Sequence, residues 1–223
     1  GTINLGLTTD KSKLNGIIDN GGTVNLTLKN GAVWTNEANN TRYEQDNEDY
    51  GNGEKSRVTK LTGGNSLNDA GVIVQTANSD LLQIDNLKGA VKINYNSYAD
   101  NNPANVLGGY VTIGSAASGS IVAMIGTNNA GIATGNKDVV EKVLQALANK
   151  LYYTGYKTGE DNITAVALGL SEGLTASSVT KQTNIMFDKA TGQGSITGEI
   201  TGEDTNVGGG NAGGDGGDGG DGG

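Results

Sequence analysis

The sequence predicts a mainly β protein: a solenoid of stacked parallel strands, then a small C-terminal α+β cap and a Gly/Asp-rich tail. Short runs of alternating apolar residues, separated by Asn- and Gly-rich turns, return about every ten residues, as in repeated strand–turn units. The 223 residues include 38 glycines and one proline, and only 4% are aromatic. A β-sandwich would also bury alternating strands, but it usually holds more Tyr, Trp or Phe, so the composition favours the solenoid.

The predicted solenoid occupies residues 1–132. The alternating runs within it are 22–30, 58–62, 70–75, 81–86, 90–95, 109–113 and 120–126. Because successive side chains of a strand point to opposite faces, each run is expected to bury one face. Stacked turns of a solenoid satisfy one another's backbone hydrogen bonds and enclose a narrow interior of aliphatic layers.

A polar insertion at residues 36–55 interrupts this pattern. Its charged cluster consists of Arg42, Glu44, Asp46, Glu48, Asp49 and Lys55. Some β-helix enzymes cleave acidic polysaccharides, and such sites need paired carboxylates over a groove. Carboxylates in a polar loop are usually solvated, so no catalytic residue is predicted and the chain is expected not to be an enzyme.

The α+β cap is predicted at residues 133–202 and begins with a helix at 136–153. Apolar residues at helical spacing predict this helix, namely Val140, Val143, Leu144, Leu147 and Leu151. Asn136 is the expected N-cap and Gly155 the expected stop. Strand-like runs follow at 162–170, 183–187 and 194–200, and residues 188–192 between the last two predict a hairpin turn.

The composition excludes several classes of function. The chain has no cysteine and no histidine, which removes disulfides, structural zinc and the usual catalytic triads. Its net charge of −9 argues against binding to nucleic acid or to an anionic membrane surface. No run approaches the roughly 18 apolar residues of a membrane helix, so no membrane insertion by this segment is expected. Because the chain opens on Gly1 without methionine, we expect a processed piece of a longer protein.

The tail at residues 203–223 ends in GGGNAGGDGGDGGDGG. Asp215, Asp218 and Asp221 are weak candidates for calcium ligands, and no other cofactor is predicted. Calcium-binding β-roll repeats need an apolar residue in every repeat, which this stretch lacks. A solvated acidic tether is the simpler interpretation. A polyproline II ribbon packed against other copies of the chain is a third one.

Four phrases in order support a family resemblance: LTLKNGAVW at 26–34, SRVTKLTGGNSL at 56–67, LLQIDNLKGAVKINYN at 81–96 and NVLGGYVTIGSAASGSIVAMIGTNNAG at 105–131. They resemble the passenger segments of bacterial autotransporters of the pertactin-like and AIDA-like kind. The resemblance implies a right-handed parallel β-helix exported to the outer surface of a Gram-negative cell. It also places Trp34 where the family has an aromatic residue after a strand, and packing in the core is its expected role. The helix at 136–153 departs from the family's usual pattern.

The sequence therefore predicts a non-enzymatic, secreted or cell-surface protein for adhesion or surface structure. Expected partners are molecules of a host or neighbouring cell, or other copies of the chain. Two alternatives remain open: a self-assembling fibre or surface-layer subunit, and a polysaccharide-active β-helix enzyme.

Overall fold

The computed structural model describes residues 1–18, 21–37, 55–75, 77–98, 106–171 and 180–202. The Gly/Asp-rich tail, with the calcium candidates Asp215, Asp218 and Asp221, lies outside these residues, and so does most of the polar insertion, including its acidic cluster and Arg42. Of the insertion's charged cluster, Lys55 is described.

The elements are mostly short strands. In chain order they are β1 Thr2–Leu7, β2 Lys13–Gly16, β3 Thr23–Leu28, β4 Val33–Asn36, β5 Lys55–Thr62, β6 Gly71–Gln75, β7 Leu81–Lys88, β8 Ala90–Tyr98, β9 Val106–Leu107, β10 Val111–Ala116, β11 Ser120–Asn129, α1 Ala130–Ala133, α2 Lys137–Asn149, β12 Leu151–Tyr153, β13 Ile163–Ser171, β14 Thr180–Phe187 and β15 Gly194–Ile196. The mainly β prediction is confirmed. The strands β1, β2, β4, β9 and β12 were not among the predicted runs.

The strands form two sheets, and from β1 to β13 strands that follow one another along the chain alternate between them, apart from the two-residue strand β9. Sheet A has the order β1-β3-β5-β7-β10-β12, and each of its neighbouring pairs is parallel. Sheet B has the order β2-β4-β6-β8-β11-β13 and is parallel over these strands. The antiparallel strands β14 and β15 extend sheet B beyond β13, and the two-residue strand β9 pairs antiparallel with β8. Apart from β9, each successive pair of strands therefore adds one strand to each sheet, as far as β13.

The core consists of aliphatic columns that run across the strands. In sheet A, one register position carries Leu5, Leu26, Leu61, Leu87 and Ala116 on successive strands. Trp34 lies in a corresponding column of sheet B, between Leu14 and Ile73, and is fully buried, so its predicted packing role is confirmed. Its indole N–H donates to the carbonyl oxygen of Gly16 at 3.0 Å, which satisfies the one polar atom of the ring.

A buried polar cluster connects the two sheets. The side-chain amide of Asn36, at the end of β4, donates to Oε1 of Gln75 in sheet B at 2.9 Å. In return Oδ1 of Asn36 accepts from the hydroxyl of Ser56 in sheet A at 2.7 Å. All three side chains are fully buried, so each bond is made away from competing water.

The helix α2 is shorter than predicted. It starts behind Asn136, whose side chain accepts from the backbone N–H groups of Asp138 and Val139, as an N-cap does. It ends at Asn149 with Lys150 as its C-cap, so the predicted end at residue 153 and the predicted stop at Gly155 are both wrong. Leu151–Tyr153 is instead strand β12, which pairs with the edge of β10. Leu151 satisfies both patterns, since it lies four residues after Leu147 and also shares the buried face of β12 with Tyr153, while Tyr152 faces the other way.

The strands of the predicted cap continue both sheets rather than forming a separate layer. β12 extends sheet A and β13 extends sheet B, while the predicted hairpin at 188–192 joins β14 to β15. The predicted domain boundaries stay predictions. None of the helices in the described part of the chain has the length and apolar character that spanning a bilayer requires.

Candidate functional site: a groove beside Tyr110

Tyr110 presents an aromatic ring on the outer face of sheet A. Val111 and Ile113 point inward and are fully buried, so Tyr110 and Thr112 point outward. Tyr110 is 46% exposed and is one of three large apolar side chains left exposed in the described part of the chain. Its ring meets that of Tyr152, on the neighbouring strand, in an edge-to-face contact with 5.8 Å between centroids.

The backbone around Tyr110 is held from both sides. Its carbonyl oxygen accepts from the N–H of Leu82 in β7 at 3.0 Å, and the next N–H, that of Val111, donates to the carbonyl oxygen of Lys150 at 2.8 Å. Gly109 lies so close to the carbonyl oxygen of Asp80 that a Cβ would overlap it. The ring therefore projects from a rigid part of the sheet.

Lys150 joins this aromatic pair from the end of α2. Its Nζ lies 5.0 Å from the centre of the Tyr110 ring, within the range of a cation–π contact. The same Nζ donates to Oδ1 of Asn78 at 3.4 Å. Burial lowers the pKa of Lys150, which means that its ammonium group has lost part of its hydration. A ligand in the groove would meet this cation at a reduced desolvation cost.

The groove beside Tyr110 has a volume of about 670 Å³. One wall is the outward face of α2, where residues three and four apart line the space: Asp138, Glu141, Lys142, Gln145, Ala146 and Asn149. The other lining residues are Val106, Tyr110, Lys150 and Ile196. Gln145 donates to Oδ1 of Asn149 at 2.6 Å and accepts from the N–H of Ile196, so the two amides of this wall are fixed.

A second, smaller depression also borders Tyr110. It has a volume of about 240 Å³ and is lined by Lys55, Leu81, Leu82, Tyr110, Thr112 and Tyr152. Tyr110 is thus the one lining residue that the two depressions share. The arrangement offers an aromatic face, fixed amides and charges of both signs. These groups suit the binding of a polar ligand that also has an apolar face.

Of the three tyrosines at the predicted helix end, only Tyr152 lies at this site. Tyr153 is fully buried and packs against Phe187 at 5.4 Å between ring centres, and Tyr156 contacts the same phenylalanine at 5.9 Å. These two tyrosines and Phe187 therefore close a hydrophobic seam.

The carboxylate of Glu160 lies beside this seam, at the hydroxyl group of Tyr153. Its Oε1 accepts from the backbone N–H of Ala116 at 3.2 Å, from the Tyr153 hydroxyl at 3.1 Å and from the Asn162 amide at 3.2 Å; both of its oxygens also accept from Ser115. The N–H of Ala116 contributes most to lowering the pKa of Glu160, and the Ser115, Tyr153 and Asn162 side chains add to it. The pKa of Tyr153 is raised, mainly by burial and then by the Glu160 carboxylate. Glu160 therefore fastens the loop after β12 to the end of β10.

The predicted site residues are not tested by this geometry. Asp215, Asp218 and Asp221 lie outside the described residues, so calcium binding stays a prediction. Among the residues that the structure describes, no group of three or more Asp, Glu, Cys or His side chains is arranged to hold a metal ion. The groove itself was not predicted from the sequence. The run GYVTI gave one usable signal, since inward Val111 and Ile113 force Tyr110 outward.

Comparison with known proteins adds no relative. No family model, no curated protein and no solved structure matches the chain. The resemblance to autotransporter passengers therefore stays a prediction from the four sequence phrases.

Proposed function

We propose that the chain is a non-enzymatic protein of the bacterial cell surface, or one secreted from it, whose body is a right-handed parallel β-helix and whose role is adhesion. The alternation of consecutive strands between two parallel sheets is the observation that supports it. A β-helix stacks its strands in this way, and the stack makes a rigid support for side chains at fixed spacing. The autotransporter resemblance agrees with this proposal.

Cross-strand contacts on the outer face of sheet A support the rigid-display role. Asn25 donates its side-chain amide to Oδ1 of Asn4, its register partner on the next strand, at 2.9 Å. Arg57 and Asp85, on β5 and β7, form an ion pair of 3.1 Å. Such exposed contacts contribute little stability individually, but they orient polar groups along a flat face that a ligand can meet.

The proposed adhesion is tested with beads that carry the full chain through a C-terminal biotin. The beads are incubated on cultured epithelial cells and on Gram-negative bacteria and then washed under shear. We expect more of them to be retained than of beads that carry albumin. If beads that carry the chain are retained no better than albumin beads, on either kind of cell, the adhesive role is contradicted.

Self-assembly is the second candidate function, and the outermost strands of the stack favour it. Among the described strands, β1 pairs only with β3 and β2 only with β4, and Ile3 of β1 is 62% exposed. Open strand edges of this kind can pair with another chain. Size-exclusion chromatography with light scattering, with calcium and with chelator, separates the two candidates: a monomer under both conditions argues for adhesion, and a polymer argues for assembly.

A further inference from the structure

We propose that the groove beside Tyr110 binds a neutral oligosaccharide, with one pyranose ring stacked on the tyrosine. The proposal rests on the adhesive function and names the chemical class of ligand that this surface recognises. Its starting point is the combination of an exposed ring with a groove of about 670 Å³, a size typical of sites for small ligands.

The apolar part of the site suits a sugar ring. A pyranose has one face of C–H groups and a rim of hydroxyl groups, so it needs a flat apolar surface beside polar groups. The exposed part of the Tyr110 ring supplies that surface beside the Lys150 ammonium, and the ring is fixed by the edge contact with Tyr152 and by its anchored backbone. Stacking on a ring that is already held costs little conformational entropy.

The polar wall suits the hydroxyl rim. Hydroxyl groups donate and accept hydrogen bonds, and α2 offers both kinds of partner. Glu141 and Asp138 accept, Lys142 donates, and Asn149 does both. These side chains project from one helix face, so several hydroxyls of one ring, or of adjacent rings, can be bound at once.

The charge balance of the groove favours a neutral ligand. Two carboxylates, Asp138 and Glu141, line it together with two ammonium groups, Lys142 and Lys150. A uronic acid or a sulfated sugar would approach both signs at close range and gain little net attraction. Hydroxyl groups interact favourably with either sign.

The test is an array of short neutral oligosaccharides built from glucose, galactose, mannose, fucose and N-acetylhexosamines, probed with the full chain. Titration calorimetry with the best-bound sugar then compares variants. We expect Tyr110→Ala to weaken binding about tenfold or more, which is the loss of one stacking contact. Tyr110→Phe keeps the ring and is expected to stay within about threefold of the parent chain.

A second variant blocks the groove without touching the tyrosine. Ala146 lies on the groove wall of α2, and Ala146→Arg places a long side chain in the space that the sugar needs while keeping a good helix former. We expect it to abolish binding and leave the unfolding temperature close to that of the parent. Met186→Ala, at an exposed site on β14 that does not line the groove, is the matched control and should bind normally.

Three results would overturn the proposal. The first is no binding to any neutral sugar, and the second is binding that survives both Tyr110→Ala and Ala146→Arg. The third is binding to acidic or sulfated sugars alone, with that binding lost when salt is added. These results are separable from failure of the proposed function. Beads that adhere while the array stays empty would leave the adhesive role standing and reject the sugar groove. Beads that fail to adhere would reject the adhesive role itself.

Discussion

Gly108 lies directly against the ring of Tyr95, and a Cβ at this glycine would overlap the ring atoms. The glycine also has a φ of 143°, a conformation that other residues rarely adopt. Tyr95 is fully buried, and its hydroxyl donates to the carbonyl oxygen of Gly109 at 2.9 Å. This contact fixes the chain where it crosses from sheet B to sheet A, directly before Tyr110.

Gly108→Ala is therefore expected to destabilise the fold by about 3 kcal/mol or more, because overpacking adds to backbone strain. Gly119→Ala is the control, since Gly119 also has a positive φ of 83° but has open space where a Cβ would be. It should cost only about 1–2 kcal/mol from strain. Urea unfolding followed by circular dichroism measures both, and equal losses would show that the ring contact is unimportant.

Glu160→Gln is expected to cost about 1–2 kcal/mol at neutral pH, because it weakens charge-assisted hydrogen bonds from several donors. The pKa of Glu160 is lowered from its ordinary 4.5 in the folded chain. As the pH falls, Glu160 is therefore protonated in the unfolded chain before it is protonated in the folded chain. Its stabilisation is present at pH values above the unfolded-state pKa and is lost as the pH falls through the lower, folded-state pKa.

The stability gap between the parent chain and Glu160→Gln should accordingly narrow in acid. Glu199→Gln, at an exposed position, is the control and should change stability little at any pH. Urea unfolding across a pH series measures the gap. A gap that stays constant from neutral pH to well below 4.5 would contradict the role given to the Glu160 carboxylate.

Ser56→Ala tests the buried polar cluster between the sheets. The Ser56 hydroxyl donates to Asn36 and accepts from the N–H of Ile18 at 3.1 Å. Its removal leaves both partners without this bond, at an expected cost of about 1–3 kcal/mol. Ser118→Ala, in an exposed turn, should change the free energy of unfolding by less than about 0.5 kcal/mol. If the two variants unfold alike, the cluster does not hold the sheets together.

Spin labels test the stacking of sheet A. Asn4, Asn25, Lys60 and Asn86 share one register position on β1, β3, β5 and β7. Asn4 and Asn86 are thus three strand spacings apart, with about 14 Å between their Cα atoms. The chain has no cysteine, so Asn4→Cys with Asn86→Cys gives a single labelled pair. Dipolar broadening in the electron paramagnetic resonance spectrum is expected, and its absence would contradict the parallel stack.

Much of the strand content could be predicted from the sequence, because the alternation of apolar and polar residues indicates which face of a strand is buried. Val24, Leu26 and Leu28 are an example. Alternation does not state which strand is the neighbour, and so it left both solenoid and sandwich open. The end of α2 was missed because Leu151 fits helical and strand spacing equally. The groove could not be predicted because it needs Tyr110 and the outward face of α2, which come together only through the pairing of β10 with β12.

The most direct test of the account combines adhesion with its proposed ligand. Beads carrying the parent chain or Tyr110→Ala are applied to epithelial cells before and after periodate oxidation, under conditions that cleave vicinal diols and so open neutral sugar rings on the cell surface. We expect parent beads to be retained on untreated cells, and retention to fall to the albumin level after periodate or with Tyr110→Ala. Retention that neither change reduces would contradict adhesion through a sugar at Tyr110.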